Sequence, residues 1–236
     1  MLLRDVLYIS YLVPASILSR FLPPALKPAI VEGENVFVSL VIFRGKTSGA
    51  ATIPTPRIPF DQVNIRTYVI DPVTGKPSVY FVQCGISGAL ITFLYGVLSG
   101  MPVEHTPFSI ETVNGKEGNY SEYKVSGKWN GDFTIEAEEI SPSLTSLLPF
   151  SNVQAAINYL IDPLVGFYFD GNILRRLEVY HAPLVPRVCK PEKVIFPYLS
   201  QLGMVPKEEI PLPHSILLVP FTPFLIYLPA RVYNSG

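Results

Sequence analysis

Twenty-four prolines are spread along 236 residues, and they remove most of the architectures open to a chain of this length. Proline lacks an N–H and its ring collides with the preceding helical turn, so each one inside a helix kinks or ends it. Few uninterrupted windows remain for long helices; what is left is many short elements separated by turns. Hydrophobic residues make up 48% of the chain and charged residues only 16%, so those short elements must bury much of their surface. Apolar, β-branched and aromatic runs between Pro and Gly punctuation read as strands. The expected fold class is α+β, mostly β: a curved antiparallel sheet closing into a barrel with a few short helices, in a single domain spanning residues 1–236.

Charge and cysteine usage exclude several functions. Basic and acidic residues nearly balance at 18 and 19, and no basic cluster exceeds Arg175-Arg176, so no nucleic-acid partner is expected. Cys84 and Cys189 stand far apart with no CxxC spacing and read as buried, reduced thiols. Three histidines without HxH or HExxH spacing give no metal site, and no GxGxxG, P-loop or GxSxG element is present, so no cofactor is expected. The apolar run Val6 to Leu18 is flanked by Asp5 and broken by Pro14, with no cleavage pattern after it, unlike a signal peptide. Ile86 to Val103 is uncharged and long enough to span a bilayer, but buried core explains it equally. Ile210 to Ala230 contains five prolines and cannot be one spanning helix. The expectation is a cytoplasmic protein without membrane association, with homo-oligomerisation left open.

Along the chain, a short helix is predicted from Pro14 to Phe21, ended by Pro23-Pro24, then a strand at Val36 to Phe43 and a loop at Gly45 to Pro59. Asn64 to Ile70 and Ser78 to Cys84 flank a Pro/Gly turn and read as a hairpin. Ile86 to Ser99 has bulky apolar residues at helical spacing and reads as a helix with one wide apolar face. Strands follow at Phe108 to Val113, Tyr120 to Trp129 and Asp132 to Ile140, joined at Asn114-Gly115 and Asn130-Gly131. A helix over Val153 to Leu160 is capped by Ser151 or Asn152. Gly166 to Asp170 and Ile173 to Tyr180 form another hairpin. A helix over Lys193 to Leu202 is weakened by Pro197, and two late strands lie at Ser215 to Val219 and Phe224 to Leu228.

Several of these pieces occur in a familiar order. Leu22-Pro23-Pro24-Ala25-Leu26 follows the first helix, Val38-Ser39-Leu40-Val41 the next strand, and Phe60 to Val69 reads F-x-x-x-N-x-R-T-Y-V; His181-Ala182-Pro183 ends a later strand. This order resembles an uncharacterised, YqjF-like branch of the acetoacetate-decarboxylase-like superfamily, and the resemblance covers most of the chain. It implies a cone-shaped antiparallel barrel with a central pocket. In the decarboxylases, a lysine in a G-x-P-K element forms a Schiff base with the keto acid, and a glutamate from the strand matching Phe60 to Val69 assists. Here Gly100-Met101-Pro102 is followed by Val103, and Gln62 stands at the glutamate position. A valine cannot attack a carbonyl and a neutral amide is no base at pH 7, so Schiff-base decarboxylation at that position is not expected.

The ligand-binding candidates come mainly from one strand. Asn64, Arg66 and Tyr68 share one face under a period of two, and Arg66 would hold a carboxylate bidentately if that face turns inward. The competing readings put Arg66 on the outer wall or against a structural carboxylate. His181 is a fourth candidate contact; its competing role is a ring hydrogen bond to a nearby carbonyl. Glu104 and His105 are candidate acid/base residues, though adjacent strand residues face opposite ways and the pair also fits an ordinary loop. Lys116, Lys124 or Lys128 could supply a displaced amine, or simply lie on a solvated sheet edge. The leading reading is a barrel binding a small, partly apolar carboxylate or keto compound. Its alternatives are a lysine-independent lyase or hydratase, and a non-catalytic membrane-peripheral or oligomeric protein.

Overall fold

The N-terminal apolar run is a strand. A computed structural model describes residues 1–47, 58–115 and 118–233, and in it β1 (Leu2–Pro14) is followed by a 3-10 turn at Ala15–Arg20, β2 (Lys27–Pro28), β3 (Asn35–Lys46), β4 (Pro59–Ile70) and β5 (Pro77–Ile86). Then come α1 (Ala89–Ser99), β6 (Glu104–His105), β7 (Phe108–Asn114), β8 (Tyr120–Lys128), β9 (Asp132–Ser141) and α2 (Val153–Leu160). The chain ends with β10 (Val165–Phe169), β11 (Leu174–His181), β12 (Arg187–Ile195), α3 (Pro197–Gln201) and β13 (Ser215–Val232). The part of the Gly45 to Pro59 loop at 48–57, and Lys116, lie outside the described residues.

The strands close on themselves. Pairing runs β1–β3–β4–β5–β10–β11–β13, and β13 pairs back with β1. The sheet is curved and mostly antiparallel, as the proline and strand pattern implies. The exception within the ring is β5–β10, which is parallel at Gly166↔Val79 and Phe167↔Tyr80. Parallel neighbours need a long crossover, and everything from α1 through α2 lies between these two strands in sequence. Gly166 lies at this junction, where an added Cβ would sit 2.7 Å from the Phe81 ring.

Two late strands predicted separately are one. β13 pairs through its first half with β1 and β12 and through its second half with β11. Pro220 and Pro223 lie around that changeover rather than ending the strand, consistent with proline's tolerance where ladder bonds shift. From β12 the sheet continues through β9, β8 and β7 beyond the ring. This extension is tied to the ring at a bulge in β1. Asp5 has φ 53°, and the β1–β3 register shifts between Arg4 and Leu7. The buried Asp5 carboxylate oxygens accept from Arg44 (2.6 Å) and the Tyr120 hydroxyl (2.6 Å), while the Tyr123 hydroxyl donates to the Asp5 carbonyl (2.7 Å).

Two helix expectations need correction. Lys193 to Leu202 is not one helix: Lys193 to Ile195 finish β12, and the helix starts at Pro197, whose missing N–H and fixed φ suit a first helical position. In α1 the wide apolar face does not enter the core. Leu90, Phe93, Val97 and Leu98 are each about two-thirds exposed, and Ile91 and Thr92 are the buried residues of the helix. No helix among the described residues is long and apolar enough to cross a membrane. Cys84 and Cys189 are both buried and free; burial pushes both thiols up, Cys189 to about 12.

Two interactions make direct stability predictions. Asn152 caps α2, its side chain accepting from Ala155 N (2.8 Å). Replacing it with alanine orphans that N–H, so Asn152→Ala is expected to lower unfolding free energy by about 1 kcal/mol in urea titrations. At the β4–β5 turn, Asp71 is fully buried and accepts from Arg176 (2.9 Å), Val73 N (3.0 Å) and Thr74 Oγ1 (2.8 Å). Burial alone would push its carboxyl up, but Arg176 and the two turn donors outweigh it and hold the group below the usual range. A depressed folded value stabilises above the ordinary carboxylate pKa and is lost as pH falls through the folded value. Asp71→Asn is therefore expected to cost about 3 kcal/mol at pH 7, and its deficit against the wild type should shrink steadily in denaturation curves taken from pH 5 downwards.

Candidate functional site

Period-two alternation in β4 turns Gln62, Asn64 and Arg66 to the inside of the ring. They border a cavity of about 80 Å³ that every strand of the ring helps to wall, β13 through its second half. That is several times the roughly 10–15 Å³ that a single water needs, room for a small molecule. Most of the wall is apolar, with Val41, Phe43, Phe81 and Ile226 among its members. Among the described residues, no aspartate or glutamate borders it.

Arg66 is the charged side chain in this wall. It is 8% exposed. Its Nη2 donates to the Leu160 carbonyl (2.6 Å) and to the Tyr68 hydroxyl (3.3 Å). Leu160 ends α2, so this carbonyl is one of the orphaned acceptors at a helix C-terminus, where the helix dipole favours a cation. The guanidinium also lies over the Tyr8 and Tyr68 rings, at 5.3 and 5.4 Å from their centroids. Among the described residues it has no carboxylate partner, Nη1 makes no hydrogen bond, and Nε is buried without one. The outer-wall and structural-carboxylate placements are both absent.

Asn64 accepts from Gln62 Nε2 through its Oδ1 (2.7 Å), leaving Gln62 Oε1 buried without a partner. Tyr68 lies on the same face but deeper. It does not border the cavity; its hydroxyl donates to Leu160 O (2.9 Å) and bonds Ser39 Oγ (2.9 Å), which in turn bonds Ser10 Oγ (2.8 Å). The ring stacks on Tyr159, centroids 4.7 Å apart. Tyr68 thus serves the floor of the ring, where α2 closes it, rather than the ligand space.

His181 does reach the cavity, across the ring at the end of β11. Its side chain is 2% exposed and stacks on Phe224. Nδ1 sits 3.0 Å from the Ala182 carbonyl and 3.8 Å from Asp162 Oδ1. The carbonyl contact expected as its alternative role is present, and it coexists with the cavity position. Burial raises the Asp162 carboxyl, opposed by His181 and by the Leu184 N–H bonded to it.

Glu104 and His105 are exposed on β6, beside Gly85 and Ile86 of β5, and neither borders the cavity. Glu104 instead accepts from Trp129 Nε1 (2.9 Å). Their segment approaches the cavity through Met101, while Val103 packs into the core. Lys124 pairs with Glu136 (3.7 Å) on β8–β9 and Lys128 is exposed, both in the extension. Among the described residues, no group of three or more His, Cys, Asp or Glu side chains is placed to hold a metal ion.

Three groups at the site were not singled out as site residues by the sequence reading. Gln62 was named for standing at the family's glutamate position but not as a ligand contact; its place beside Asn64 extends the Asn64–Arg66 alternation by two residues. Tyr8 borders the cavity from β1, and its hydroxyl makes no protein hydrogen bond among the described residues; burial pushes it up to about 12, against the pull of Arg66. Nothing in the sequence marks it, because the N-terminal run was weighed only as a leader. Asp162 follows α2 directly and is brought to His181 by the fold alone.

Solved structures share this architecture. The enduracididine biosynthesis enzyme MppR, complexed with pyruvate, superimposes with a TM-score of 0.61 at 16% identity, over 98% of this chain and 88% of that one. An acetoacetate decarboxylase-like enzyme from Sphingomonas wittichii RW1 gives 0.62 at 12% identity, over 100% and 92%. Acetoacetate decarboxylase from Legionella pneumophila gives 0.59 at 12%, over 98% and 85%. Likeness at such low identity establishes the fold, which is that of acetoacetate decarboxylase-like proteins. No curated protein sequence matches this one. A family model described as "Uncharacterized conserved protein" matches residues 1–218, and the chain therefore belongs to the DUF2071 family.

Proposed function

We propose that the protein binds a small, partly apolar carboxylate or keto compound inside the ring, as a YqjF-like member of the acetoacetate-decarboxylase-like superfamily that works without a Schiff-base lysine. The observation that carries this reading is Arg66: a guanidinium 8% exposed, with no carboxylate partner among the described residues, bordering a mostly apolar cavity. Buried charges are normally paired, and a ligand anion supplies the pair. Asn64 and Gln62 orient the ligand beside it, and His181 meets its other end. Tyr68 acts behind Arg66, holding it in place. The small cavity selects short acids, and the valine at 103 together with the placement of Lys124 and Lys128 supports non-covalent binding.

A second reading, association through the outer surface, is favoured by α1, whose Leu90, Phe93, Val97 and Leu98 form an exposed apolar stripe. A second copy of the chain is its simplest partner. In sedimentation velocity, Phe93→Glu is expected to convert a dimer to a monomer; a wild type that is monomeric at all concentrations overturns this reading.

Calorimetric titration tests the first. Pyruvate and 2-oxobutanoate serve as probes, since the MppR enzyme of the same fold is seen with pyruvate, with acetone and chloride as controls. Both acids are expected to bind more tightly than either control. Arg66→Met, which keeps the stem and removes the charge, is expected to weaken them about 10- to 100-fold, the worth of a charge-assisted hydrogen bond. Equal affinity of acids and acetone, or an unaffected variant, overturns the reading.

A further inference from the structure

We propose that the cavity transfers protons at carbon: His181 Nε2 removes a proton from the carbon beside the carbonyl of a small 2-oxo acid whose carboxylate rests on Arg66, and the Tyr8 hydroxyl receives the resulting enolate oxygen. The inference rests on the binding reading above and adds a reaction to it.

The tautomer of His181 is the first step in the argument. Its Nδ1 faces two acceptors, the Ala182 carbonyl at 3.0 Å and the Asp162 carboxylate at 3.8 Å. A lone pair there would repel both, so Nδ1 carries the hydrogen and the neutral ring presents Nε2 as a base. Among the described residues Nε2 has no hydrogen-bond partner, although the side chain is 2% exposed and borders the cavity. The ring cannot swing freely, because it lies flat on Phe224, 5.2 Å between centroids with planes 14° apart.

Asp162 is a positioning residue. Its Oδ1 is buried with no hydrogen bond, and its carboxylate is held by the Leu184 N–H. It faces the side of the imidazole away from Nε2, where it attracts the positive charge that appears when Nε2 takes a proton. This is the division of labour by which a buried carboxylate supports a histidine base. Tyr8 is the complementary acid-side group. Its hydroxyl makes no hydrogen bond among the described residues and is protonated at neutral pH, and its ring borders the cavity directly beneath the Arg66 guanidinium, 5.3 Å from it.

The step balances as an isomerisation. The C–H electron pair becomes the C=C bond of the enolate, the carbonyl π pair moves to oxygen, and the proton resides on Nε2. Return of a proton from Nε2 to carbon restores the keto acid. No oxidant, metal or second substrate enters. Arg66 neutralises the carboxylate, which otherwise disfavours a second negative charge next to it.

Enolisation leaves an isotopic record. In D₂O, the protein is expected to wash deuterium into the methyl group of pyruvate and the C3 methylene of 2-oxobutanoate, followed by proton NMR against a protein-free control. His181→Asn retains a donor toward Ala182 and removes the base; it should cut exchange at least about 100-fold, far more than it weakens binding of the acids. His181→Gln provides the same test if the asparagine variant fails to fold. Asp162→Asn should lower the maximal exchange rate about tenfold or more with little change in the half-saturating acid concentration, whereas a purely structural role would move both. Titration is run alongside. Bound acid with no exchange above the control overturns the proton-transfer proposal and leaves the binding reading standing; exchange that persists in the His181 variants overturns the role of His181; absence of binding removes the binding reading and this one with it.

Discussion

The carbonyl of Leu160 is the point on which the inside of the ring depends. It closes α2 and would be an orphaned acceptor under a sealed floor. Instead it accepts from Arg66 and Tyr68, two residues apart on β4. The same tyrosine hydroxyl bonds Ser39, and Ser39 bonds Ser10, so a chain of hydrogen bonds runs from the helix through β4 and β3 to β1. Tyr159 completes the floor by stacking on Tyr68 and donating to the Ala29 carbonyl. A helix C-terminus is one of the few surroundings in which a guanidinium can be buried without a carboxylate, since its partial negative charge offsets part of the cost. It offsets part only, and among the described residues no carboxylate supplies the rest.

This arrangement also explains how one short segment serves two ends of the site. Leu160 holds Arg66, and two residues later Asp162 stands behind His181. The Arg66 guanidinium and the His181 imidazole come from opposite strands of the ring, yet both are referenced to the turn that leaves α2. Three of the six buried side-chain polar atoms that lack a hydrogen-bond partner among the described residues belong to this region: Gln62 Oε1, Arg66 Nε and Asp162 Oδ1. Folded proteins satisfy nearly all such groups.

Much of the fold was legible in the residues because local signals and tertiary demands agree. The β4–β5 hairpin, the β7–β8–β9 meander, the α2 cap at Asn152 and the β10–β11 hairpin all follow from turn dipeptides and alternation. Disagreements arose where a signal had two solutions. The apolar residues of α1 fit a buried face by spacing, but Leu90, Phe93, Val97 and Leu98 are left open on the surface. Pro220 and Pro223 read as strand breakers, yet they fall where β13 exchanges neighbours. The polar face of β4 was read correctly as one face; the depth at which Tyr68 leaves the cavity was not visible, because period two fixes a side of the strand and not a distance along the ring.

By itself the sequence determined the fold class and the face of β4 that carries Asn64 and Arg66, since proline spacing, turn residues and alternation act over a few neighbouring residues. Only the tertiary structure decided that Glu104 and His105 stand outside, that Tyr8 comes in from a strand disguised as an apolar leader, and that Asp162 meets His181. These are meetings between segments brought together by ring closure, and closure is a property of the pairing of β1 with β13, residues more than two hundred positions apart, which no local pattern encodes.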